Sequence, residues 1–161
     1  MALYAFSTIW RLEAPVTEVF AVIDRIEAWP AWWPSVLRVV RLQAGGEDGV
    51  GARYRLTFRG RLPYELHFTS RTTRREPTQV IRGRATGELE GNGTWHLRED
   101  EGWTTVRYDW NIRTTRRWMN ALAPVPFVRE IFALNHHAVM RNGLAGIRRE
   151  LGVRGAYERL D

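Results

Sequence analysis

Apolar and polar residues alternate from the start of the chain. Tyr4, Phe6, Thr8, Trp10 and Leu12 share one face of Leu3–Leu12, the mark of a half-buried strand. The period then changes. Val16, Val19, Phe20 and Ile23 form a 3–4 stripe, and Pro15 suits the first turn of a helix. Trp29-Pro30-Ala31-Trp32-Trp33-Pro34 follows. It is too proline-broken to continue that helix and too aromatic to stay exposed, so it is expected to wedge against or line something. A second strand is predicted over 36–42, ending in the turn Gly45-Gly46-Glu47-Asp48-Gly49. Further strands are predicted over about 52–59, 64–74, 79–86, 88–98 and 104–114, separated by Gly60/Pro63, Glu76-Pro77, Gly87 and Glu99-Asp100-Glu101-Gly102. Consecutive strands with no helix between them imply an antiparallel meander. From Trp118 the pattern turns helical, interrupted by Pro124 and Pro126, and a final helix is predicted over about 127–151. Residues 1–151 read as one domain and 152–161 as a loosely held tail.

The last helix needs a surface to lie on. Phe132, His136, Val139, Met140, Gly143, Leu144, Ile147 and Leu151 fall on one face, with His137 at its border and Arg141, Arg148 and Arg149 outside it. The only large surface available is the concave face of the sheet. One helix cannot fill a strongly curved sheet of six or seven strands, so a cavity between them is expected.

Composition narrows the chemistry. The 161 residues, 44% hydrophobic, are long enough to bury roughly two-thirds of the unfolded surface. There is no apolar run long enough to span a bilayer and no signal-like start, which favours a cytoplasmic protein without stable membrane insertion. The chain has no Cys and no Lys: its 24 basic residues are all Arg. Disulfides, thiolate nucleophiles and Schiff-base chemistry drop out together. The net charge of +6 suggests nucleic acid, but its distribution does not. In the run 53–61 arginines take nearly every other place, the writing of a solvent face on a strand. The Trp positions are inferred to face in and the Arg positions out, whereas a nucleic-acid platform needs both on one surface.

The chain resembles the START/SRPBCC superfamily, in its polyketide cyclase/dehydrase-like branch, over nearly its whole length. The resemblance is carried by Ala14-Pro15 with Val19 and Phe20, by Trp29 to Pro34, and by Gly91-Asn92-Gly93-Thr94-Trp95. Thr105-Val106-Arg107-Tyr108-Asp109-Trp110 and Met140-Arg141-Asn142-Gly143-Leu144-Ala145-Gly146 complete it. It implies an α+β helix-grip fold, a curved antiparallel sheet wrapped around a long C-terminal helix, with an internal apolar cavity for lipids, polyketides or similar molecules. It implies no single reaction. Cyclases, dehydratases, hydrolases and plain carriers share no universal catalytic residue.

Strand alternation places Tyr64, Leu66, Phe68, Trp95, Leu97, Val106, Tyr108, Trp110 and Ile112 inward. From these and the two packing elements, Trp33, Tyr64, Phe68, Trp95, Tyr108, Trp110, His136 and Met140 are the candidate ligand-binding residues. His136, on the apolar face of the closing helix, is the candidate base, with Tyr64 or Tyr108 as polar partner. The bland alternative for each is core packing. His67 and His96 are expected outside, as is Asp109, paired with strand arginines. Asp24 and Glu27 end the first helix, solvated or at the cavity's edge. No histidines show metal-ligand spacing with a carboxylate, so no metal and no cofactor is expected. Gly91-Asn92-Gly93 lacks the helix that a phosphate site needs.

Three readings stay open: a carrier holding an apolar small molecule, a cyclase/dehydratase-type enzyme acting through His136, and an interaction module using the Arg-rich outer face. The expected partner is an apolar small molecule and not nucleic acid. The chain is also compatible with a homodimer.

Overall fold

The computed structural model describes residues 3–161. Strand β1 (Leu3–Leu12) leads into helix α1 (Val16–Asp24), a single 3₁₀ turn (Ile26–Ala28) and the one-turn helix α2 (Trp29–Trp32). Six strands follow: β2 (Val36–Gln43), β3 (Arg53–Phe58), β4 (Leu66–Glu76), β5 (Val80–Gly87), β6 (Leu89–Asp100) and β7 (Trp103–Thr114). Helix α3 (Arg117–Leu122), the long helix α4 (Val128–Leu151) and strand β8 (Gly155–Arg159) complete the chain. One antiparallel sheet has the order β2-β3-β4-β5-β6-β7-β1-β8, with α4 across its concave face. The fold is therefore the helix-grip arrangement, with eight strands instead of the six or seven expected.

The additional strand comes from the segment expected to be a loose tail. Thr8 pairs with Arg159 and Leu12 with Gly155, so β8 caps the free edge of β1. Tyr157 and Asp161 then reach the flank of α4, which gives this short segment a tertiary anchor that its own sequence does not advertise.

The segment Trp29 to Pro34 is not simply a break. Pro30 occupies the first turn of α2, where it has no intrahelical N–H bond to lose, and the helix ends when Trp33 turns extended. All three indoles are buried. Trp29 Nε1 donates to the Ile23 carbonyl at 2.9 Å, fastening α2 to the end of α1.

The core follows the sequence pattern closely. On β1, Tyr4, Phe6, Thr8, Trp10 and Leu12 are all buried and meet Phe132, Met140, Leu144 and Ile147 of α4 across the core. On β3, Leu56 is buried while Arg53 and Arg55 face solvent. Arg75 of β4 grips the Asp24 carboxylate with two nitrogens, at 2.9 and 2.8 Å, so Asp24 ties α1 to the sheet and does not edge a cavity. No helix among the described residues is long and apolar enough to cross a membrane.

Candidate functional site

A cavity of about 140 Å³ lies between the concave face of the sheet and α4. Its floor is set by cross-strand register. Thr72 pairs with Gly83, Gly83 with Gly93, Gly93 with Trp110 and Trp110 with Phe6, so one row crosses five strands and every member lines the cavity. The two glycines remove side chains from its middle; the Ser70 hydroxyl lies over Gly83 and aromatic rings lie over Gly93. A β-carbon on Gly93 would stand 2.4 Å from the Tyr108 hydroxyl and 2.8 Å from the Trp110 ring. Tyr108 lies over Trp95 with centroids 4.2 Å apart and stacks on Trp110 at 5.8 Å.

The other wall is helical. Trp29 and Trp33 line the cavity, whereas Trp32 turns away from it. Trp33 Nε1 donates to the Val139 carbonyl of α4 at 2.9 Å, which fixes the indole plane against that helix. Phe132, Asn135, His136, Val139 and Met140 complete the α4 side. Asn135 also accepts from the backbone N–H groups of Arg61 and Leu62, at 2.8 and 3.1 Å, and so holds the β3–β4 connection over the helix.

All eight residues singled out from the sequence for ligand contact, Trp33, Tyr64, Phe68, Trp95, Tyr108, Trp110, His136 and Met140, line this one cavity. The three candidate catalytic groups share it without forming a unit. His136 stacks on Phe6 with centroids 4.6 Å apart, Tyr64 meets Trp118 edge-on at 5.2 Å, and Tyr108 lies among Trp95 and Trp110. Among the described residues no hydrogen bond joins His136 to either tyrosine. His67 and His96 are on the outer face, beside Glu65 and Asp109 respectively, and Arg107 binds Asp109 at 3.0 Å.

Burial dominates the electrostatics. It takes the His136 imidazole down to about 3, helped by the neighbouring His137, so the ring is neutral at pH 7. It pushes the Tyr64 hydroxyl up to about 12 against the pull of Arg116, and it raises Tyr108 as well, so both phenols stay protonated. Two buried polar atoms of the wall, Tyr4 Oη and His136 Nε2, have no hydrogen-bond partner in the protein. Tyr4 belongs to the face marked by alternation in β1, yet its hydroxyl was invisible as a site group because the pattern distinguishes only inside from outside.

His137 departs most from expectation. Placed at the helix border by periodicity, it is fully buried because β8 covers that side of α4. Its Nδ1 meets the Tyr157 hydroxyl and its Nε2 lies 3.0 Å from the Asp161 carboxylate. Burial lowers the imidazole against the opposing influence of Asp161. Burial alone would raise Asp161, but the Ser7 N–H, His137 and Arg159 outweigh it and hold the carboxyl below its ordinary range.

Solved structures share this architecture. The Zhui aromatase/cyclase from Streptomyces sp. R1128 is 20% identical, with 92% of this chain and 96% of that one covered at a TM-score of 0.70. A START superfamily protein from Mycobacterium smegmatis is 14% identical over 92% and 98% of the two chains, with a TM-score of 0.71. Major latex-like protein 151 from Panax ginseng is 10% identical over 90% and 97%, at 0.64. These likenesses speak for the fold. No curated protein matches the chain in sequence. The family model described as polyketide cyclase / dehydrase and lipid transport matches residues 7–152, nearly the whole sheet and all of α4, and the chain belongs to that family.

Proposed function

We propose that this protein binds an apolar small molecule between its sheet and α4, as a carrier or binding protein. The observation that carries this reading is the wall itself: aromatic and aliphatic side chains from β1, β3–β7, α2 and α4 converge on one space, with polar groups scattered around it. A ligand there gains roughly 25 cal/mol for each Å² of apolar surface withdrawn from water, and scattered hydroxyls orient it at little cost. The Streptomyces aromatase/cyclase is an enzyme of the same fold, but His136 here, taken down to about 3 by burial, is a weak base at pH 7. Among the described residues it has no hydrogen bond to Tyr64 or Tyr108, which also favours the carrier. Native mass spectrometry of the purified protein tests the reading. A co-purified apolar molecule, released on unfolding, is the expected result. A protein that carries none and takes up none from an apolar extract contradicts it.

A further inference from the structure

Six aromatic side chains of the cavity wall close into a circuit. Trp33 meets Phe58 edge-on with centroids 5.8 Å apart, Phe58 stacks on Phe68 at 5.6 Å, and Phe68 lies 5.8 Å from Trp110. Trp110 stacks on Tyr108 at 5.8 Å, Tyr108 covers Trp95 at 4.2 Å, and Trp95 returns to Trp33 at 6.1 Å. The circuit draws on β3, β4, β6, β7 and the residue after α2, so folding of the whole domain assembles it. Its contacts mix stacked, tilted and edge-on geometries, and it therefore presents both ring faces and ring edges to what lies within. Faces are electron-rich and edges electron-poor. A ligand with faces and edges of its own can pair with both, whereas an alkyl chain adds only burial and dispersion.

Two further observations narrow the ligand. No residue of the wall carries a formal charge at neutral pH. Arg116 and Arg129 lie over the wall rings of Tyr64 and Tyr4, Arg116 also over Trp118, and are engaged by Glu88 and the Leu3 carbonyl. An ionised carboxylate would be stripped of water with no counter-charge and set against electron-rich ring faces, which is strongly unfavourable. The free space of about 140 Å³ compares with an engineered apolar cavity of ~150 Å³ that accepts benzene. It matches one ring and not an extended chain. The unpartnered Tyr4 Oη and His136 Nε2 supply hydrogen-bonding capacity for a small polar substituent.

We propose that the cavity selects a neutral molecule built on one aromatic ring bearing a hydroxyl or carbonyl group, and that it rejects carboxylates and long acyl chains. The ligand class rests on the carrier reading above and sharpens it.

Calorimetric titration with phenol, benzoate, octanol and octanoate at pH 7 tests the proposal on the unmodified protein. Phenol is expected to bind at least tenfold more tightly than each of the others. In Trp110→Leu the circuit is opened, and phenol affinity should fall about tenfold. Benzoate binding as well as phenol overturns the exclusion of anions. Octanol or octanoate binding best overturns the ring preference while leaving the cavity a binding site. Binding of none of the four overturns both the ligand class and the carrier reading.

Discussion

Trp33 and Val139 are joined by a hydrogen bond from the indole N–H to a main-chain carbonyl in the middle of α4, at 2.9 Å. The bond couples the proline-rich segment to the helix that roofs the cavity, and Trp33 itself is 2% exposed. Trp33→Ala removes the ring and leaves a void beside the binding space, so it should destabilise the domain by about 3–5 kcal/mol. Trp33→Phe keeps most of the contact and should cost much less. Urea unfolding of both variants checks this, and an unchanged midpoint for Trp33→Ala would refute the packing role.

Gly146 allows α2 and α4 to approach each other. A β-carbon there would stand 1.8 Å from the Trp32 carbonyl oxygen, a main-chain atom that cannot rotate aside. Gly146→Ala therefore forces α2 and α4 apart, at about 1–3 kcal/mol or more. Helix propensity alone would favour alanine by up to about 1 kcal/mol, so the two effects have opposite signs. A higher thermal midpoint in Gly146→Ala would contradict the close approach.

His136 should leave a mark in the pH dependence of stability. Burial lowers its pKa from 6.5 to about 3, so the native state refuses a proton that the unfolded chain accepts. Stability from this group is complete above pH 6.5 and is lost as pH falls through the window between 6.5 and 3. By pH 5 the loss reaches up to about 2 kcal/mol. Lowered His137 acts in the same direction. His136→Phe keeps an apolar ring against Phe6 and removes one titrating group. Its stability should fall less between pH 7 and 5 than that of the parent, and identical slopes would contradict a buried neutral imidazole.

His137 gives a separate test of the C-terminal strand. Its replacement by alanine takes the imidazole from the Tyr157 hydroxyl and leaves Asp161 held by the Ser7 N–H and Arg159 alone. The expected loss is about 1–3 kcal/mol, with faster amide exchange in 155–159 than elsewhere in the sheet. Unchanged exchange in β8 would show that its pairing to β1 suffices alone.

Much of this was legible in the sequence because alternation and 3–4 spacing report directly on which face is buried. The inward set on β6 and β7, and Phe132, His136 and Met140 on α4, follow from those periods and from the single concave surface available. What stayed hidden depends on contacts between distant segments. The burial of His137 comes from β8, a five-residue segment with a weak pattern of its own. The aromatic circuit needs the register that sets Gly93 opposite Trp110, which no local period encodes. Pro30 and Pro34 read as interruption, although Pro30 is compatible with the first turn of α2.

The most direct measurement is the response of the eight tryptophan indole N–H signals to phenol, followed by NMR on labelled protein. Trp29, Trp33, Trp95 and Trp110 line the cavity, whereas Trp103 lies outside it, 37% exposed and next to Arg154. A ligand held between sheet and α4 shifts the signals of the first four in a saturable way and leaves Trp103 in place. Shifts at Trp103 with the four cavity signals unmoved would place the ligand on the surface and contradict the internal site.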